Sequence, residues 1–228
     1  MKYIIIGLGN FGSSLAQKLT QTGHEIIGVD NNMDKVEAYK EKITYAICLD
    51  CRDQQAANHL PLKDTDVVIV CIGEDEGANL MTTALMKQNK AKRLISRAIS
   101  PLHETILEAM GIKEIIHPEE ETAERWTKKL TMKGIVDSFS LSPEYSIIEA
   151  RVPEKFTGKN LAQIHSIKNF GVLILTTMKI IESQNILGAS RNITKVQGVA
   201  SSETVLEKGD ILVMYGKIKD IEQFLKEG

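Results

Sequence analysis

Aromatic residues make up only 5% of this 228-residue chain, prolines number five and cysteines three. Three thiols cannot all pair, so a disulfide scaffold is excluded and Cys48, Cys51 and Cys71 are expected to be reduced, small buried hydrophobes. Nowhere do about 18 apolar residues follow one another, so no bilayer span is expected. The opening apolar run from Tyr3 to Ile6 is too short for a signal core. A Gly-rich loop follows it where a cleavage site would stand, so export is not expected and a cytoplasmic location is. Charge of one sign is also missing. Lys+Arg of 28 against Asp+Glu of 30 leaves a net charge of −2. Without a basic excess to offset counterion release, nucleic acid is not an expected partner.

The chain does have the 43% hydrophobic and 25% charged content of an ordinary globular protein. Its length suits two domains. Residues 1–117 alternate short apolar runs with amphipathic stretches. The runs are Tyr3–Ile6, Glu25–Asp30, Tyr45–Leu49, Val67–Ile72, Arg93–Arg97 and Glu114–His117, each of strand length. Between them, Phe11, Leu15 and Leu19, then Leu80 with Ala84, then Leu102 with Ile106, recur at four-residue spacing and predict helix faces turned to a sheet. Continuous apolar strands alternating with helices predict an α/β, Rossmann-like, doubly wound parallel sheet. A connecting helix is expected after His117-Pro118, with Ala123, Trp126 and Leu130 on one face. Beyond Gly134, strands are expected at Tyr145–Arg151 and Val172–Met178, a short helix at Asn160–Ser166, and a turn over 206–210 feeding a strand and a closing helix. These predict a small α+β domain. The boundary is set between residues 133 and 134.

Gly7-Leu8-Gly9-Asn10-Phe11-Gly12 follows the first strand and opens a helix. In that setting the first glycine permits the tight turn, the second lets a phosphate approach the backbone and the third lets the helix pack on the sheet. Free N–H groups at the helix start attract an anion. Asp30 ends the second strand, where a carboxylate accepts from ribose hydroxyls and disfavours a 2′-phosphate. An adenine nucleotide is expected. Its chemistry is not. The five histidines are scattered, each read as a surface or capping residue, and no catalytic dyad or nucleophile motif is present. Binding without turnover is the simpler reading. An NAD-dependent oxidoreductase with a short substrate domain is the alternative.

Over nearly its whole length the chain resembles the RCK (regulator of potassium conductance) proteins, specifically the stand-alone Ktr/Trk-type subunits. The residues that carry the resemblance are Ile6–Gly12, Gly23-His24-Glu25 leading to Val29-Asp30, Leu49-Asp50, the 111–116 segment running into His117-Pro118-Glu119, and the 206–216 segment. It implies an N-terminal RCK domain over 1–133 and a C-terminal (TrkA-C-like) RCK domain over 134–228. It also implies a non-enzymatic, cytoplasmic gating subunit that senses ATP/ADP or NAD(H). Such a subunit forms homodimers that close into an octameric ring on a membrane-embedded potassium-translocating subunit, at the inner face of the cell membrane. By the same resemblance Gly7, Gly9, Asn10, Phe11 and Gly12 form the phosphate loop and Asp30 binds ribose. Asp50 meets the adenine amino group, the Ile72 and Gly73 backbone lies against the nucleoside, and Arg97 sits near the terminal phosphate. Glu119 helps hold a cation at the dimer interface. Asn10 stands where Ktr-type members carry an arginine that reaches the γ-phosphate, and Ile167 stands where some carry an arginine for cyclic di-AMP.

Overall fold

The computed structural model describes residues 1–184 and 190–227. It divides into two compact units, Met1–Glu120 and Glu121–Gly228.

Among the described residues, the first unit contains β1 (Lys2–Ile6), α1 (Asn10–Gln21), β2 (Glu25–Asp30), α2 (Met33–Tyr39), β3 (Tyr45–Cys48), α3 (Gln54–Ala57), β4 (Val67–Val70), α4 (Glu76–Gln88), β5 (Leu94–Arg97), α5 (Pro101–Ala109) and β6 (Glu114–Ile116). The six strands are parallel, in the order β3-β2-β1-β4-β5-β6. Chain order reverses between β1 and β4, and in such sheets ligands bind beyond the carboxyl ends of the strands at that reversal. Both faces of the sheet are covered, which is why its strands read as unbroken apolar runs. Ile4, Ile6, Val29 and Val70 pack on one side with Leu60, Leu62 and Met86. Ile5, Ile26, Val67 and Ile69 pack on the other with Ala16, Phe11, Leu15 and Leu19. All six expected strands form within a residue or two of their expected ends.

Two helix faces differ from the expectation. On α4, Ala84 is exposed and the buried positions are Asn79, Thr82, Thr83 and Met86. On α5, Leu102 is 68% exposed, while His103 and Leu107 are fully buried. In both helices the four-residue apolar spacing misses the inward stripe, because that stripe carries polar side chains, Asn79, Thr83 and His103, gathered around the Asn79 Oδ1. His103 is therefore a core residue, not a surface or capping one. Cys51 and Cys71 are buried as expected, but Cys48 is exposed.

The second unit comprises α6 (Pro118–Thr131, whose first residues belong to the first unit), β7 (Ile135–Ser140), β8 (Tyr145–Arg151), α7 (Leu161–Ile164), α8 (Ser166–Phe170), β9 (Leu173–Gln184), β10 (Ser190–Val196), β11 (Ile211–Lys217) and α9 (Ile218–Glu227). Its strands form an antiparallel sheet in the order β10-β9-β11-β8-β7. Ile148, Ala150, Leu212 and Met214 face a core closed by Phe156, Ile164, Ile221 and Phe224. The Phe156 and Phe224 rings lie 4.8 Å apart and Phe170 meets Phe224 edge-on at 5.3 Å. The expected helix at Asn160–Ser166 is two helices. A capping box between Asn160 and Gln163 starts α7, and His165 in the left-handed region (φ 50°) breaks it from α8. Ile164 and Phe170 contribute to this unit's own core, whereas Ile167 is exposed. The strands β7 and β10 lie outside the expected ones: Ile135–Ser140 alternates poorly, with Ile135 and Val136 adjacent and a shifted register after them, and Ser190–Val196 is largely polar. Helix α6 has no buried residue, and its Trp126 and Leu130 are exposed.

Candidate functional site

A cleft of about 340 Å³ opens over the carboxyl ends of β1, β2, β3 and β4, within the range of small-molecule pockets. Its lining includes Gly7, Gly9, Asn10, Phe11, Asp30, Asp50, Ile72, Gly73, Arg97 and Glu119. Of the residues expected at the site, only Gly12 is not on that surface, because it lies beneath it. A second cavity of about 310 Å³ adjoins the first, sharing Gly73, Arg97 and Glu119 and bordered by Ser100, Glu104 and His117.

The three loop glycines serve different purposes. Gly7 holds a φ of +97°, and a Cβ there would come within 3.0 Å of Ile72 N. At Gly12 a Cβ would fall 1.9 Å from Gly7 O, so α1 can approach β1 only without one. Gly9 is otherwise. A Cβ on it would meet nothing within 4 Å, and its φ of −67° suits any residue. It stands at the N-cap of α1 and offers no side chain to the amides of the first turn, which face the cleft at the positive end of the helix dipole.

Asp30 is 6% exposed and braces this loop. Its Oδ2 accepts from Leu8 N–H at 2.7 Å and its Oδ1 from Asn32 N–H at 2.9 Å. A carboxylate has about four acceptor positions, so it can still receive two ribose hydroxyls. Asp50, after β3, is held by Arg52, whose Nε donates at 2.9 Å and Nη2 at 2.7 Å, and these bonds keep the Asp50 carboxyl below the usual range. Arg52 Nη1 also lies 4.0 Å from Asp75, and Lys35 Nζ lies 3.7 Å from Glu74, so ion pairs flank the cleft on its β2–β3 side. Sequence reasoning passed over Lys35 and Arg52. The available signal was Arg52's place two residues after Asp50.

Arg97 ends β5 and turns its guanidinium across the end of β4. Nη1 donates to Cys71 O at 3.3 Å, and Nη2 pairs with Glu119. Its Cζ lies 2.4 Å from where a Gly73 Cβ would be, so Gly73 is open to make room for Arg97. The Arg97 Nε is buried with no hydrogen-bond partner. Glu119, in the first turn of α6, is paired to Arg97, and among the described residues no group of three or more His, Cys, Asp or Glu side chains converges to hold a metal. The buried thiols of Cys51 and Cys71 are both pushed up to about 12 by desolvation, which makes them poor nucleophiles.

Exposed amides at the helix start, a braced carboxylate at the end of β2 and a side-chain-free floor at Gly9 fit a nucleotide diphosphate and its ribose. Comparison with known proteins agrees with this architecture. The "Ktr system potassium uptake protein A" of Bacillus subtilis is 29% identical over 227 residues, spanning 100% of this chain and 96% of that protein. The "Ktr system potassium uptake protein C" of the same organism is 28% identical over 225 residues, 99% of this chain and 96% of that one. Among solved structures, the RCK domain of GsuK superposes with a TM-score of 0.65 at 17% identity, over 99% of this chain and 47% of that one, a likeness of fold. The family model of the TrkA-N domain matches residues 3–118, half of the chain and all six strands of its parallel sheet. This chain therefore belongs to the TrkA-N domain family.

Proposed function

We propose that this chain is a nucleotide-sensing regulatory subunit of a potassium uptake system, binding an adenine nucleotide, ATP/ADP or NAD(H), without turning it over. The observation that carries the reading is the Gly9 floor beside the Asp30 brace: the protein leaves open a place that its own packing does not require to be open. Similarity to the Ktr potassium uptake proteins from end to end supports the potassium system.

In this reading the amides after Gly9, at the first turn of α1, hold the phosphates, Gly7 and Gly12 let the loop and helix pack closely enough to present them, and Asp30 takes the ribose hydroxyls. Asp50, already oriented by Arg52, presents its remaining acceptor positions to the adenine amino group. The Ile72–Gly73 backbone lies against the nucleoside. Asn10 offers hydrogen bonds but no charge, so recognition of a terminal phosphate falls to Arg97, which must exchange Glu119 for the ligand. Homodimers close into an octameric ring docked on a membrane-embedded potassium-translocating subunit at the cytoplasmic face. A cation beside Glu119 at the dimer interface draws its remaining ligands from the second copy. The nucleotide biases the pore through linkage: it shifts the ring between two shapes only by its difference in affinity for them.

The test is titration of the purified protein with ATP, ADP, NAD+ and NADH, following melting temperature and particle mass. At least one ligand is expected to raise the melting temperature, since binding to the native state alone stabilises it. A monomer indifferent to all four refutes the reading.

A further inference from the structure

The ladder between β4 and β5 runs only from Val68–Leu94 to Val70–Ser96. Beyond it the backbone pairing of β4 with β5 stops. Cys71 N–H donates to Ile6 O on one side, and Ala98 N–H donates to Ile116 O on the other. This break is the place where Arg97 lies across Gly73. Besides the bond from Arg97 to Cys71 O, it is bridged by the side chain of Asn79 of α4, which is fully buried. Asn79 Nδ2 donates to Ile72 O at 2.8 Å and to Arg97 O at 3.0 Å, spending both of its hydrogens on the two strand ends. These carbonyls belong to residues that line the cleft.

An amide set this way must present Oδ1 to the interior. There it accepts from Ser96 Oγ at 2.9 Å, lies 3.3 Å from Thr83 Oγ1 and faces His103 Nε2 at 3.2 Å. Because Oδ1 can only accept, His103 must carry its proton on Nε2. Its Nδ1 is buried without a partner, and burial holds the ring below the usual histidine range, in the neutral form that donates from one nitrogen only. With the amide reversed, Oδ1 would face two carbonyls that can only accept, so Ile72 O and Arg97 O fix the orientation, and the His103 Nε2–H adds a donor that holds the amide in it.

We propose that Asn79 is a positioning residue that sets the spacing between the ends of β4 and β5 and so aims the Arg97 guanidinium into the cleft, with His103 donating to Oδ1 and holding the inner end of the Asn79 amide in place. The part concerning nucleotide phosphate rests on the function proposed above; the seating of Arg97 does not.

The experiment compares His103→Gln, whose amide nitrogen replaces the Nε2 donor, with His103→Leu, which fills space without donating, and adds Asn79→Ala. Two readouts are used. The first is the Arg97 Nε–H resonance of ligand-free, arginine-labelled protein. The second is the ratio of affinities for ADP over adenosine. His103→Gln is expected to keep both close to wild type. In His103→Leu the resonance should shift or broaden and the ratio fall about tenfold, the loss of roughly one charge-assisted hydrogen bond. If Asn79→Ala does not fold, the His103 pair still decides. The proposal is overturned if His103→Leu keeps the wild-type resonance, or if His103→Gln and His103→Leu are equally affected, which would assign His103 to packing alone. If no adenine nucleotide binds wild type, the functional reading fails while the resonance still tests the seating of Arg97.

Discussion

Two substitutions of the same kind, three residues apart, should have opposite consequences. In Gly12→Ala the new Cβ falls 1.9 Å from Gly7 O and 3.0 Å from Cys71 Cβ. Neither neighbour is the free end of a side chain, so α1 must lift from β1 and β4. Overpacking against backbone costs on the order of 3–5 kcal/mol, a large share of a total stability of about 5–15 kcal/mol. For a chain of this size that lowers the melting temperature by roughly 6–20 °C. In Gly9→Ala the Cβ meets nothing within 4 Å and the backbone is already extended, at φ −67° and ψ −171°. Alanine is a poorer N-cap than glycine by about 0.5–1 kcal/mol, and restricting the unfolded chain returns about 0.4–1 kcal/mol. The melting temperature should stay within roughly 3 °C of wild type. Yet that methyl group occupies the space a phosphate would need to reach the helix amides. Losing one such charge-assisted bond is worth about 1.5–3 kcal/mol, or a tenfold to hundredfold loss of nucleotide affinity. Thermal unfolding and calorimetric titration of both variants check this. Wild-type affinity in a folded Gly9→Ala protein would refute the phosphate role. Equal stability of the two variants would refute the packing argument.

Gly73→Ala should act at a distance from the loop. The added Cβ displaces the Arg97 guanidinium, a flexible end that yields at a cost of about 1 kcal/mol or less, and breaks its pair with Glu119. The protein should fold normally but bind ADP about tenfold more weakly, a larger loss than for adenosine; unchanged ADP binding by calorimetry would separate Gly73 from Arg97. Alkaline pH offers a further check. Cys51 and Cys71 have folded-state values near 12, above the roughly 8.5 of an unfolded thiol, so the unfolded chain releases protons first. Stability is complete below about pH 8.5 and declines above it toward pH 12, by at most about 1.4 kcal/mol per pH unit for each thiol. Denaturant titrations at pH 7.5 and 10 measure the slope, which Cys71→Ala should reduce. Among native thiols only the exposed Cys48 should react readily with iodoacetamide.

The sequence by itself determined the first unit's architecture and the location of its cleft. Ile4, Ile5 and Ile6 in succession identify a strand buried on both faces, and Gly7–Gly12 with Asp30 identify the turn and carboxylate of a nucleotide fold, because both signals are local: one strand, one turn, one helix start. The other expected cleft residues, from Asn10 to Glu119, were implied by the resemblance to RCK proteins, and all of them line the cleft. Tertiary structure decided the rest. The buried stripes of α4 and α5 mix polar residues with Met86 and Leu107, so hydropathy selects Ala84 and Leu102 where the fold selects Asn79 and His103. Only when β4 and β5 stand side by side do Ile72 O and Arg97 O come within reach of one amide. Gly73 likewise reads as a strand-end glycine until Arg97, 24 positions later, lies over it. A polar residue's partners are chosen by the assembled fold and leave no spacing in the chain, whereas an apolar strand or a glycine turn carries its reason within a few residues.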